Sequence, residues 1–104
     1  MIRKFLEKKV EIEYDEVNQN PVNKLELEYY LLESEYTENE SKGGVLYKTY
    51  GIEIIKRHNG SKERKQFESI FNTREKTKSL VNLLADNTVT PSTLPYVLDD
   101  LLGV

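Results

Sequence analysis

The chain has no cysteine and no tryptophan, and only one histidine and one methionine. Without cysteine there are no disulfides, no thiolate-held iron–sulfur clusters and no thiol nucleophile, and a reducing cytoplasm is the simplest setting. No apolar run approaches the roughly 20 residues that cross a bilayer. The opening Met1-Ile2-Arg3-Lys4-Phe5-Leu6-Glu7-Lys8 lacks the apolar core of a signal peptide. A cytoplasmic protein without a membrane segment is expected. Phosphate-binding loops are missing too: Gly43-Gly44 and Gly60 do not fit G-x-x-x-x-G-K-[ST]. Ser61, Ser69, Ser79 and Ser92 lie in no nucleophile elbow. What is present is 38% hydrophobic and 32% charged residues in 104 positions, which predicts one small, polar α+β domain over residues 1–104.

The strongest local signal is Asn59-Gly60, two residues that accept positive φ, set between strand-like runs. It predicts a two-residue hairpin turn with His58 opposite Ser61, Lys56 opposite Glu63 and Ile52 opposite Phe67. Continued without a break, the same register sets Tyr50 opposite Ser69 and Lys48 opposite Phe71. Tyr50, Ile52 and Ile54 then share a face with Phe67 and Phe71, while Glu53, Gln66 and Glu68 point away. Gly51, inside the first strand, marks a bulge, a bend or a close backbone approach.

Upstream, Val10-Glu11-Ile12-Glu13-Tyr14 alternates as a half-buried strand, with Phe5 and Leu6 either leading into it or fraying. Asp15 to Asn23 reads as a loop around Asn20-Pro21. Leu25 to Leu32 reads as a second strand, antiparallel to the first because the connection is short. Glu33 to Gly44 is acidic and glycine-terminated and reads as a mobile loop, with Tyr36 pinning it or extending a strand. The first seventy residues therefore predict a four-stranded antiparallel meander with the Asn59-Gly60 hairpin at its centre. The period then changes. Asn72 and Glu75 resemble a capping box for a helix from about Thr73 to Asp86, with Leu80, Val81, Leu83 and Leu84 as its stripe and Asn87 as its stop. In the last segment Thr90 can cap a helix with Pro91 at its first position. Pro95, however, shifts the regular start towards Leu94, with Ser92 or Thr93 as cap. Leu94, Val97, Leu98, Leu101 and Leu102 form an amphipathic stripe, with Asp99 and Asp100 outside it. Two amphipathic helices packed on one face of the sheet complete the expected fold.

Charge is segregated along the chain. Glu11 to Glu40 is acidic with Lys24 as its lone base, whereas Lys56 to Lys78 is basic. Either the two segments pair within one molecule, or Lys56, Arg57, Lys62, Arg64, Lys65, Arg74 and Lys78 present a surface to a partner. Asp99 and Asp100 join this candidate surface because aspartate near a helix C-terminus opposes the helix dipole. The overall acidity disfavours nucleic acid as the partner. His58 sits beside the turn, where the sequence shows no acid–base constellation, and reads as a turn residue. Glu11, Glu13, Glu26 and Glu28 read as a solvated sheet face, or else as a weak cation or docking patch. The tyrosines fall at strand positions and suit packing better than base stacking. No catalytic, cofactor-binding or metal-ligating residue is expected.

Three stretches also carry a resemblance: Tyr50-Gly51-Ile52-Glu53-Ile54, Leu80 to Leu84, and Val89-Thr90-Pro91 leading to Val97-Leu98-Asp99-Asp100-Leu101-Leu102. Together they resemble an uncharacterised family of small proteins of about this length from clostridia and related low-GC Gram-positive bacteria. Pro95 departs from its pattern. The resemblance implies a self-contained bacterial cytoplasmic domain and transfers no site residues. The reading that follows is a non-enzymatic interaction or regulatory module whose partner is another protein or a second copy. Nucleic-acid binding through residues 56–78 and an enzyme are the alternatives.

Overall fold

The computed structural model describes residues 2–14, 23–38 and 43–103. Four strands, β1 (Ile2–Tyr14), β2 (Asn23–Glu38), β3 (Val45–His58) and β4 (Ser61–Phe71), precede helices α1 (Arg74–Asp86) and α2 (Leu94–Leu102). The strands form one antiparallel sheet in the order β1-β2-β3-β4, so the meander is present. The expected loop at Asp15–Asn23 lies outside the described residues up to Val22.

The hairpin turns where expected, with Asn59 and Gly60 both at positive φ. His58–Ser61, Lys56–Glu63 and Ile52–Phe67 are paired. Beyond Ile52 the register breaks. Tyr50 faces Phe71, not Ser69, and Lys48 has no partner on β4, because a bulge sits opposite Gly51. A Cβ built on Gly51 would lie 1.9 Å from the Phe67 carbonyl oxygen and 2.5 Å from Glu68 backbone atoms. The missing side chain is what lets β4 fold over β3 here.

The segment Glu33 to Glu38 is strand, not loop. Its acidity is answered across the ladder: Lys48 Nζ lies 3.2 Å from Glu33 and 3.7 Å from Glu35. Tyr36 stacks on the opposed Tyr47 at 5.4 Å. β1 reaches only Ser34 and β4 only Tyr50, so β2 and β3 continue as a two-stranded arm. The arm helps to raise the radius of gyration to 16.9 Å, against about 13 Å for a compact chain of this size.

Leu27, Tyr29, Ile52 and Ile54 line one sheet face under Leu80, Val81, Leu84, Leu94 and Leu98. Leu27 and Leu94 are fully buried, and each contributes about 1.5–3 kcal/mol by burial. The capping box is corrected. The N-cap of α1 is Thr73, not Asn72, and no side chain caps it. Its carbonyl instead accepts hydrogen bonds from the Thr77 N–H and hydroxyl. At the other end, Val89 N–H donates to Leu84 O and Thr88 N–H to Ala85 O, a Schellman arrangement past Asn87. It places Thr88 at φ 48°, a conformation costly for a β-branched residue. Thr88→Gly should therefore raise stability by about 1 kcal/mol, read by urea denaturation. In α2, Thr93 is the N-cap residue and Pro95 stands in the first turn, where an N–H has no helical partner.

Tyr29 ties the sheet to the α1–α2 connection. Its hydroxyl donates to Val89 O at 2.8 Å within the core. Burial pushes the phenol from 10.0 up to about 12. The folded chain thus keeps a proton that the unfolded chain loses above about pH 10. The stabilisation is full below that pH and falls as pH rises towards 12, by up to about 2–3 kcal/mol. Tyr29→Phe should cost about 1–3 kcal/mol at neutral pH, because the Val89 carbonyl is left unpaired. It should also flatten the alkaline fall in urea midpoints relative to the parent chain.

Candidate functional site

The sheet divides the basic segment. Strand alternation sends Lys56 and Lys65 to the helix-bearing face, opposite Leu27 and Ile54, while Arg57, Lys62 and Arg64 stand on the open face. Arg74 and Lys78 lie on α1 beside β1. Arg74 covers the Phe5 ring at 4.8 Å and approaches Glu33 at 3.6 Å, and Lys78 lies 4.0 Å from Glu7. Asp99 and Asp100 are exposed in the last turn of α2. The nine residues do not form one surface.

Acidic and basic segments meet within the chain, because the meander places β2 against β3. Arg57 Nε donates to Glu28 at 2.8 Å, which holds that carboxyl below its ordinary range. Tyr30 donates to the same carboxylate at 2.8 Å. Glu53, expected to point into water, is 2% exposed on the open face. Lys4 pairs with one of its oxygens, and Arg64 approaches the other at 3.5 Å. Lys4 also sits 4.1 Å above the Tyr30 ring. Long side chains laid over Leu32 and Ile55 leave both 2% exposed without any helix.

The helix-bearing face is incompletely closed. A cleft of about 520 Å³ runs between α1 and α2, with Leu84 and Val89 among its walls, Leu83, Val97 and Leu101 beside them, and Thr88, Thr90 and Thr93 at its polar end. Leu83 is 45% exposed and Leu101 48%. Leu83 stands at the edge of the α1 stripe: it is turned about 60° from buried Leu80 and about 100° from buried Leu84. The α2 stripe is also wider than the sheet can cover. Leu94 and Leu98 are buried, but Leu101 and Leu102 are exposed. The sequence signal was therefore present as surplus apolar width, although only burial separates surplus from core.

The last turn of α2 is negative. Neither helix has a basic residue in its last turn. Asp86 closes α1 with Lys8 Nζ 3.9 Å away; on α2, Asp100 adjoins Leu101, while Asp99 lines a separate hollow with Phe67, Ser69 and Ile70. Each adds to the negative end of a helix dipole. His58 closes β3 opposite Ser61, in a separate shallow hollow with Lys56 and Glu63. Among the described residues no group of three or more His, Asp or Glu could hold a metal ion, and no helix is long and apolar enough to cross a membrane.

Neither the curated proteins nor the solved structures contain a significant match to the chain. A family profile does match, over residues 8–104, and the chain belongs to that family of unknown function, DUF6514.

Proposed function

We propose that the protein is a small non-enzymatic interaction module of a bacterial cytoplasm. Its α1–α2 cleft takes the apolar face of a basic amphipathic helix from a partner protein. The observation that carries the reading is the cleft itself: an apolar trough between two helices, with leucines left uncovered on both walls. Helix-in-groove recognition uses such a trough, with anchors spaced i, i+3 or i+4. The α2 C-terminus, which has no base in its last turn, and Asp100 next to Leu101 favour lysine or arginine on the flank of the incoming helix. The nucleic-acid reading loses its main support, since Arg57, Arg64, Arg74 and Lys78 each already lie against a carboxylate.

A short leucine–lysine amphipathic peptide and its leucine–glutamate counterpart provide the test, by calorimetric titration. The basic peptide should bind and the acidic one should not. Leu101→Ser should weaken binding by at least about tenfold, the equivalent of 1.4 kcal/mol, and Asp99→Asn with Asp100→Asn should weaken it less and reduce its salt dependence. No binding, or binding that Leu101→Ser leaves unchanged, would sink the proposal.

A further inference from the structure

The open face carries one rung in which like charges stand side by side. One rung across the sheet reads Glu11, Glu26, Arg57, Lys62, each directly opposite the next. Two glutamates therefore sit side by side, and two cations sit side by side. Like charges directly opposed across strands are destabilising. Relief within the chain is partial. Lys24 bridges Glu11 and Glu26 at 3.5 and 3.4 Å, Lys9 reaches them at 3.6 and 3.9 Å, and Arg57 is held by Glu28. No ion pair joins Lys62 to a described residue.

The order minus, minus, plus, plus has a symmetry consequence. Consider a two-fold axis parallel to the strands, lying above the boundary between β2 and β3. It turns a second sheet face down and swaps left for right, so Lys62 meets Glu11 of the second copy and Arg57 meets its Glu26. The contact is isologous, and every charge of this rung gains an opposite one; on the next rung Lys9 faces Arg64 of the second copy, each cation staying paired in its own chain, with Glu11 and with Glu53. The same rotation treats the arm end consistently. Tyr36 and Tyr47, 48% and 39% exposed and stacked on each other, meet Tyr47 and Tyr36 of the second copy, with Val45, 55% exposed, beside them. Aligned sheets pack about 10 Å apart with a modest twist. Four strands over the eight residues from Glu26 to Glu33, with the two-stranded arm on to Tyr36, offer roughly 600 Å² per copy from strand spacing and rise, the low end of a specific interface.

We infer that the helix-free face of the sheet is a homodimer interface, in which Glu11 and Glu26 of one chain pair with Lys62 and Arg57 of the other and the arm tyrosines pack together. It lies on the side of the sheet away from the cleft, so it stands or falls independently of the peptide site.

Light scattering and sedimentation equilibrium of the intact chain at low and high salt test it. The parent should dimerise, more weakly at high salt. Lys62→Glu, at an exposed turn-proximal position, should raise the dimer dissociation constant by at least about tenfold, the scale of losing close intermolecular charge pairs. Adding Glu11→Lys to the same chain should restore it to within about threefold, because each copy then carries both halves of the swapped pair. Tyr47→Asp should abolish the dimer while the circular dichroism of the sheet is kept. A monomer at all concentrations and salts would overturn the inference. So would a dimer indifferent to Lys62→Glu, a Lys62→Glu defect that Glu11→Lys does not restore, or a dimer that survives Tyr47→Asp.

Discussion

Gly51→Ala should abolish or nearly abolish folding, with a loss of about 4–5 kcal/mol or more, at the extreme of single substitutions. The added methyl would enter backbone, not a flexible side chain: 1.9 Å from the Phe67 oxygen and 2.5 Å from the Glu68 carbon and oxygen. Relief would require β4 to move away from β3. That would disturb the bulge that sets Tyr50 opposite Phe71 and seats Phe67, Ile70 and Phe71 against the core. A domain of this kind has only about 5–15 kcal/mol to lose. Urea denaturation followed by circular dichroism reads the effect. A midpoint within experimental error of the parent would show that the close approach does not constrain the fold.

The second large effect concerns Glu53, a 2%-exposed carboxylate held by Lys4 and Arg64. Removing both cations together, Lys4→Ala with Arg64→Ala, leaves a buried charge without an opposite and should cost about 3–5 kcal/mol. Removing the charge itself has a different sign. Glu53→Leu substitutes an apolar side chain of similar volume beside Leu32 and Ile55, and should be neutral or stabilising. The three chains compared in urea separate the two effects. Equal losses in both variants would mean that Glu53 stabilises through its own contacts. No loss in the double variant would mean that water reaches the carboxylate.

The elements best read from the sequence are those whose signal is local. Asn59-Gly60 dictated its turn because few other residues accept positive φ. Val10, Ile12, Leu25 and Leu27 alternated because one face of their strands is covered. Thr93 and Pro95 placed the start of α2 through backbone chemistry. Features that depend on distant partners were harder to read. The acidity of Glu33 to Glu38 suggested a loop, because Lys48 and Tyr47, which make it a strand, lie on another strand. Glu53 read as solvent-facing by alternation, which is right about the face and blind to the side chains laid over it. Gly51 was legible as a bulge or close approach, but the length of the bulge was not, so Tyr50 was paired two residues short. The basic segment looked like one surface because sequence proximity ignores the period of two that sends Arg57 and Lys65 to opposite faces. For the cleft, the surplus leucines were visible, while their exposure depends on how α1 and α2 sit on the sheet.

The most direct test of an interaction module built on the α1–α2 cleft is a map of where a basic amphipathic helix lands. Backbone amide shifts of the labelled chain, followed during titration with the leucine–lysine peptide, give that map residue by residue. Changes concentrated at Leu83, Val89, Thr93, Val97 and Leu101, with Arg57 and Lys62 on the open face undisturbed, are the expected result. Changes centred on the open face, or none at peptide concentrations well above those of the protein, would contradict it.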